Sequence, residues 1–144
     1  MNLSENFTLE EMIASETATR HGIDNTPDND ALMNLRRLAL VLEEVRKVLD
    51  KPIHINSAFR NVATNKKVGG KSTSQHCKGS AADLKVKGMT PDQVVRAIIK
   101  SGIQYDQVIR EFDSWTHLSI PNTKDAKPRL QALIIDKKGS RPFS

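Results

Sequence analysis

Apolar residues recur along this chain in two clear helical patterns and several short alternating ones. Between residues 30 and 50, Leu35, Leu38, Leu42, Val45 and Leu49 return at three- and four-residue steps, with Arg36, Arg37, Glu43, Glu44, Arg46 and Lys47 on the other faces. That pattern predicts one long helix with a single apolar stripe. Asp28 or Asn29 can cap its start, and Pro52 ends it. A second helix is predicted from Thr90-Pro91-Asp92, a cap followed by Pro at the first helical position. It carries Val94, Val95, Ile98 and Ile99 and stops at Gly102. Thr8-Leu9-Glu10-Glu11 has the capping-box pattern and predicts a shorter helix running to about Ala18.

Strand patterns follow. Ile53-His54-Ile55-Asn56 alternates, and Ala81–Val86, Gln107–Glu111, Trp115–Ile120 and Leu130–Ile135 are further strand candidates. Residues 25–30, with Pro27, read as a loop. Residues 61–80 carry Gly69, Gly70 and Gly79 among polar residues and read as a long loop with room for a short helical piece. So long a loop inside a compact domain is uncommon and usually functional. Helices first and strands later, at hairpin-like spacing, predict an α+β fold with an antiparallel sheet. One domain is expected, with N-terminal helices over 8–50, a core over 53–136 and a loosely held tail over 137–144. The 144 residues fit one domain and can bury a core without disulfides.

Composition narrows the function classes. Apolar residues make up 38% and charged residues 27%, as in soluble globular chains. No run approaches the roughly 18 apolar residues that a membrane helix needs, so membrane insertion is not expected. Met1-Asn2-Leu3-Ser4-Glu5-Asn6 lacks a basic head and apolar stretch, so synthesis in the cytoplasm without a signal peptide is expected. A single cysteine, Cys77, rules out an internal disulfide and a multi-thiolate metal site. Any metal must rely on His and carboxylate ligands. The net charge of +5 favours polyanions, either nucleic acid or anionic cell wall. With aromatics at 4%, stacking platforms for single-stranded nucleic acid are scarce, and a nucleic-acid partner is not expected. Lys66, Lys67 and Lys71 read as a solvated loop face.

The chemistry concentrates in Ser74-Gln75-His76-Cys77-Lys78-Gly79-Ser80-Ala81-Ala82-Asp83 and in Trp115-Thr116-His117-Leu118-Ser119. A reversal at Gly79 can bring His76 and Asp83 together. His117 lies in a strand pattern far downstream. Two His and one carboxylate make a common catalytic zinc set that leaves one position for water. Spacing alone also fits a loop histidine, a salt-bridged Asp and a satisfied strand histidine.

The pattern Ser74-x-His76-x-x-Gly79-x-Ala81-x-Asp83 resembles, at every fixed position, the signature of the zinc D-Ala-D-Ala carboxypeptidases and related murein endopeptidases. The hedgehog signalling domain shares their fold. Ser57-Ala58-Phe59-Arg60 resembles the family's Ser-x-x-Arg segment, and Glu111-Phe112-Asp113-Ser114-Trp115-Thr116-His117 its last ligand segment. The matches occur in family order over roughly residues 53 to 120, and the helix before Pro52 looks like that of phage-type members.

The resemblance implies that His76, Asp83 and His117 bind Zn2+ and that Arg60 holds a substrate carboxylate or carbonyl oxygen. Ser74 is implied either to bond the substrate or to order the loop. Many members carry Glu three residues before the last His, where this chain has Ser114, which cannot serve as a base. Glu111 is the preferred general base, on reach and on the family match. Asp113 is the runner-up, because an even offset from His117 places it on the metal face if 113–117 is one strand. Trp115 shares that parity and reads either as a cleft wall or as a core aromatic. His54, His21 and Cys77 take structural readings.

The implied activity is hydrolysis of peptidoglycan stem peptides at bonds involving D-amino acids. A cross-link endopeptidase of phage or prophage origin is expected, acting as a monomer on the wall after release or delivery. A D-Ala-D-Ala carboxypeptidase and an L-Ala-D-Glu endopeptidase are the alternatives within this chemistry. A non-catalytic, zinc-containing wall-binding module is the alternative outside it.

Overall fold

A computed structural model describes all 144 residues. Two short helices, α1 (Leu9–Ile13) and α2 (Glu16–Arg20), precede the long helix α3 (Asn29–Leu49). The single helix expected up to Ala18 is therefore two. Ala14 leaves helical geometry at ψ 132°, and the Ser15 side chain accepts from the Ala18 N–H to start a new helix. The capping box of α1 is present, with Thr8 and Glu11 satisfying each other's backbone N–H. Asp28 caps α3 by accepting from the Ala31 N–H at 2.8 Å, and the helix ends at Asp50 with φ 53°.

The stripe read from the sequence is the buried face of α3: Leu35, Leu38, Leu42 and Val45 are fully enclosed. Each such leucine contributes roughly 1.5–3 kcal/mol through burial. Helix α5 (Pro91–Ser101) packs beside α3 and buries Val94, Val95 and Ile98. Between them, the stretch read as a long loop contains α4 (Val62–Lys67) and a 3-10 turn at Gln75–Lys78. No helix is long and apolar enough to cross a membrane.

Six strands form one sheet in the order β1-β2-β4-β3-β5-β6. They are β1 (His54–Ser57), β2 (Ala81–Lys85), β3 (Gln107–Glu111), β4 (Trp115–Ser119), β5 (Gln131–Asp136) and β6 (Gly139–Pro142). All neighbours are antiparallel except β3 and β5, which run parallel. The reason is positional. Strand β4 ends beside the start of β3, with Ser119 opposite Gln107. The chain then crosses that end of the sheet, and β5 starts there too, with Gln131 opposite Gln107.

The tail is not loosely held. Residues 139–142 pair with 133–136 as the edge strand β6, closed by the Asp136–Arg141 ion pair. Phe143 packs against the core, with Arg96 stacked 4.9 Å over its ring.

Alternation divides the sheet. Ala82, Leu84, Val108, Leu118 and Ile120 face the helices in a core of 24 buried residues. Asp83, Lys85, Glu111, Trp115 and His117 have the opposite parity and lie on the other face.

Two contacts join the 3-10 turn to this framework. Gly79 closes the turn at φ 74°, and a Cβ there would lie 2.5 Å from the Ala31 carbonyl oxygen of α3. Gly79→Ala is expected to cost about 3 kcal/mol, combining left-handed strain with overpacking, as read from urea unfolding. On the other side, Gln75 donates to the Asp106 carboxylate at 3.1 Å, and Arg129 donates to the same group at 2.7 Å. Burial raises the Asp106 carboxyl, but the Arg129 hydrogen bonds outweigh it and hold it below the ordinary range. A depressed folded-state value gives stability that is present above the unfolded pKa of about 3.9 and lost as pH falls through the folded value. Asp106→Asn is expected to lose about 2 kcal/mol at pH 7, a figure discounted for the exposed Arg129. In urea titrations the gap from the parent chain should close below about pH 4.

Candidate metal centre

The site is built on one cross-strand pair. Asp83 of β2 lies directly opposite His117 of β4, so both side chains leave the same face of the sheet. The Asp83 Oδ1 is 3.0 Å from the His117 Nδ1. His76 arrives from the turn above. Ser74 caps that turn by accepting from the His76 N–H at 3.2 Å, which supports the loop-ordering alternative for this serine. The His76 Nε2 then sits 3.4 Å from the Asp83 Oδ2. The two imidazole rings meet edge to face, 5.3 Å apart.

The tautomer of His76 follows from its partner. Its Nδ1 lies 2.6 Å from the Ala58 carbonyl oxygen, which can only accept, so Nδ1 carries the proton. The other nitrogen is left with a lone pair aimed at a carboxylate. Burial lowers the pKa of His76, against the raising effect of Asp83, and so favours the neutral ring. The Asp83 carboxyl is raised by burial, but hydrogen bonds from His117 and His76 carry it well below the ordinary range. A lone pair facing a carboxylate is unfavourable until a cation lies between them.

The donor set fits zinc. A tetrahedral shell with bonds of about 2.0–2.1 Å spaces adjacent donors by about 3.3–3.4 Å. Each imidazole faces its own Asp83 oxygen, that of His117 Oδ1 at 3.0 Å and that of His76 Oδ2 at 3.4 Å, so the carboxylate already stands at about ligand spacing from both rings. One donor atom from each of His76, Asp83 and His117 falls within 4.8 Å of the others. The carbonyl partner on His76 is the outer support that orients a ligating imidazole. Cys77 is outside this group, and burial raises its thiol pKa.

Glu111 ends β3 opposite Trp115, one strand across from the ligands. Its Oε1 lies 4.0 Å from the His117 Nδ1. Burial pushes its carboxyl above the ordinary range; the charges of His117 and Arg60 oppose this, and that of Asp83 adds to it.

Asp113 does not reach the metal face. The strand begins at Trp115, and Phe112 and Asp113 form a turn at φ 53° and 51° that breaks the assumed parity. Asp113 is exposed there and paired with Arg110. Trp115 is half-buried, stacked against Phe112 at 5.8 Å, and lines a cavity rather than the core. His54 is exposed on the rim of the same cavity, and His21 is an exposed helix cap.

Arg60 is held from both sides. Its N–H donates to the His76 carbonyl at 3.1 Å. The Asn25 side chain donates to the Phe59 carbonyl at 3.0 Å and accepts from the Asn61 N–H at 2.8 Å. The Arg60 Nε is enclosed with no partner in the chain. The supports from the Ala58 carbonyl, Asn25, Gln75 and Asp106 were not among the sequence candidates. The first is backbone, and the others reveal themselves only once distant segments meet.

The chain is expected to take up one zinc ion, with chelator-sensitive stabilisation in thermal unfolding. His76→Ala should lose that metal, as read by elemental analysis; a fully loaded variant would contradict the site.

Comparison with known proteins agrees with the geometry. The family described as Peptidase M15 matches residues 5–119. A zinc D-Ala-D-Ala carboxypeptidase of Streptomyces albus G is 57% identical over 35 residues, which are 24% of this chain and 14% of that protein. Since the family match takes in both the helical half and the three converging ligands, this chain belongs to the peptidase M15 family.

Proposed function

We propose that the protein is a zinc peptidase that hydrolyses bonds next to D-alanine in the stem peptides of peptidoglycan. The observation that carries this reading is the His76–Asp83–His117 group with Glu111 beside it. Zinc held by those three side chains supplies Lewis acidity, polarising an amide carbonyl and making water a better nucleophile near neutral pH.

The chain's own residues do the rest. Glu111 is close enough to receive a proton from an attacking water and return it to the leaving amine. Its raised pKa suits both halves of that transfer. Arg60 presents its guanidinium to a substrate carbonyl or carboxylate oxygen. The Ala58 carbonyl keeps the His76 proton on Nδ1, so Nε2 stays free for the metal.

The finer reading is a cross-link endopeptidase. A depression bounded by Arg60, Ser57 and Glu16 lies beside the metal group, since Ser57 pairs with Asp83, and favours a substrate that runs past the site. An exopeptidase needs one end closed, and a substrate running past the site needs both open. The Streptomyces relative, a zinc D-Ala-D-Ala carboxypeptidase, favours a second reading, removal of terminal D-alanine. The basic charge suits a wall hydrolase of phage or prophage origin that meets the wall after release or delivery.

Mass spectrometry of digested muropeptides tests these readings together. Cross-linked dimers split into monomers support the endopeptidase, and free D-alanine alone supports the carboxypeptidase. Wall binding without any product makes the protein a binding module. Glu111→Gln is expected to retain zinc and lose roughly 10²- to 10⁴-fold in turnover. Near-parent activity in that variant would place the base elsewhere.

A further inference from the structure

Two opposite charges line one depression beside the metal group without pairing. The depression, of about 410 Å³, lies between the end of β1 and the junction of α1 with α2. Asn56, Ser57 and Arg60 line it from one side, Ala14 and Glu16 from the other, and Val68 adds an apolar wall from the end of α4. Glu16 is exposed and Arg60 half-buried, and neither takes part in an ion pair. The Arg60 Nε is also enclosed without a hydrogen-bond partner in the chain.

The backbone beneath these two residues is clamped. The Asn25 amide donates to the Ile13 carbonyl at 2.8 Å and to the Phe59 carbonyl at 3.0 Å. The Phe59 N–H donates to the Met12 carbonyl at 2.8 Å. The stretch leading into α2 and the stretch carrying Arg60 are thereby tied together. Glu16 and Arg60 are held on one depression, too far apart to neutralise each other. Charges fixed in this way lose little freedom when a ligand arrives.

Register places the depression on the reaction side of the sheet. Ser57 pairs with Asp83, and paired residues share a face. The depression starts one strand spacing, about 4.8 Å, from a metal ligand, within about two residues of extended substrate. Arg60 also acts on the chemistry. Burial raises the Glu111 carboxyl, and the Arg60 charge opposes that rise.

We infer that this depression is a specificity subsite for a substrate side chain ending in an ammonium and a carboxylate on one carbon, with Glu16 taking the ammonium and Arg60 the carboxylate. The inference rests on the peptidase reading and names the side chain that adjoins the D-alanine. Meso-diaminopimelate has that chemistry. Ala14 and Val68 take its methylenes, and Ser57 and Asn56 add polar contacts at its charged end.

The test uses stem peptides L-Ala-γ-D-Glu-X-D-Ala-D-Ala in which X is meso-diaminopimelate, L-2-aminopimelate or L-lysine. The second lacks the side-chain ammonium, and the third lacks the side-chain carboxylate. Each stem is offered free and as the donor of a dimer cross-linked to a common L-lysine stem. Binding is read by calorimetry on the zinc-loaded Glu111→Gln chain, and kcat/KM on the zinc-loaded parent. Meso-diaminopimelate is expected to be favoured about fivefold over each of the others, the scale of one exposed charge pair. Glu16→Gln should bring the ratio against 2-aminopimelate towards one and keep the ratio against lysine. Glu16→Asp should restore part of the lost ratio.

Equal binding of the three free stems overturns the subsite, and this comparison needs no change at Glu16. An undiminished ratio against 2-aminopimelate in Glu16→Gln also overturns it, by leaving Glu16 a structural role only. Selective binding without cleavage of any stem or dimer would sink the peptidase reading and leave the subsite standing. Cleavage of all at equal rates would do the reverse.

Discussion

A carboxylate set between two imidazoles is the contact around which this molecule is arranged. Asp83 and His117 meet because β2 and β4 pair in one register. A slip of one residue would turn Asp83 into the core and bring Leu84 to the metal face. The buried Ala82, Leu84, Val86 and Leu118 resist that slip, because it would expose them. Packing on one face of the sheet therefore fixes chemistry on the other. The helices need not touch the site to set it.

His76 is the ligand that the sheet does not supply. It rides on a short turn, so its precision comes from fixed contacts around that turn. Gly79 lets the turn press against α3, Gln75 ties it to Asp106, and the Ala58 carbonyl fixes the ring. These supports come from three separate stretches of chain, α3, Ala58 and Asp106. The last two pair polar groups in partly dry surroundings, where an unpaired one costs about 1–3 kcal/mol. Arg60 shares them, since its own N–H bonds to the His76 carbonyl. The turn that carries His76 and the segment that carries Arg60 are thus one mechanical unit.

Most of this was legible in the sequence where local signals agree with tertiary need. Helix α3 carries both its stripe and its cap, and α5 has a capping box and a closing glycine. The three ligands stood out through the motif around His76 and Asp83 and the downstream segment ending at His117, and the structure brings them together. What was hidden depends on partners far along the chain. The parallel β3–β5 pair follows from where β4 ends, which periodicity does not encode. Asp113 looked like a strand residue until two successive left-handed residues made it a turn. The edge strand β6 has few apolar residues and is held by register and the Asp136–Arg141 pair.

Zinc K-edge X-ray absorption on the metal-loaded chain tests the central claim most directly. The account predicts two imidazole nitrogens at about 2.0–2.1 Å and oxygen donors at about 2.0–2.2 Å, with no sulfur. A sulfur shell near 2.3 Å, which would bring in Cys77, or a spectrum with fewer than two imidazoles, would contradict it.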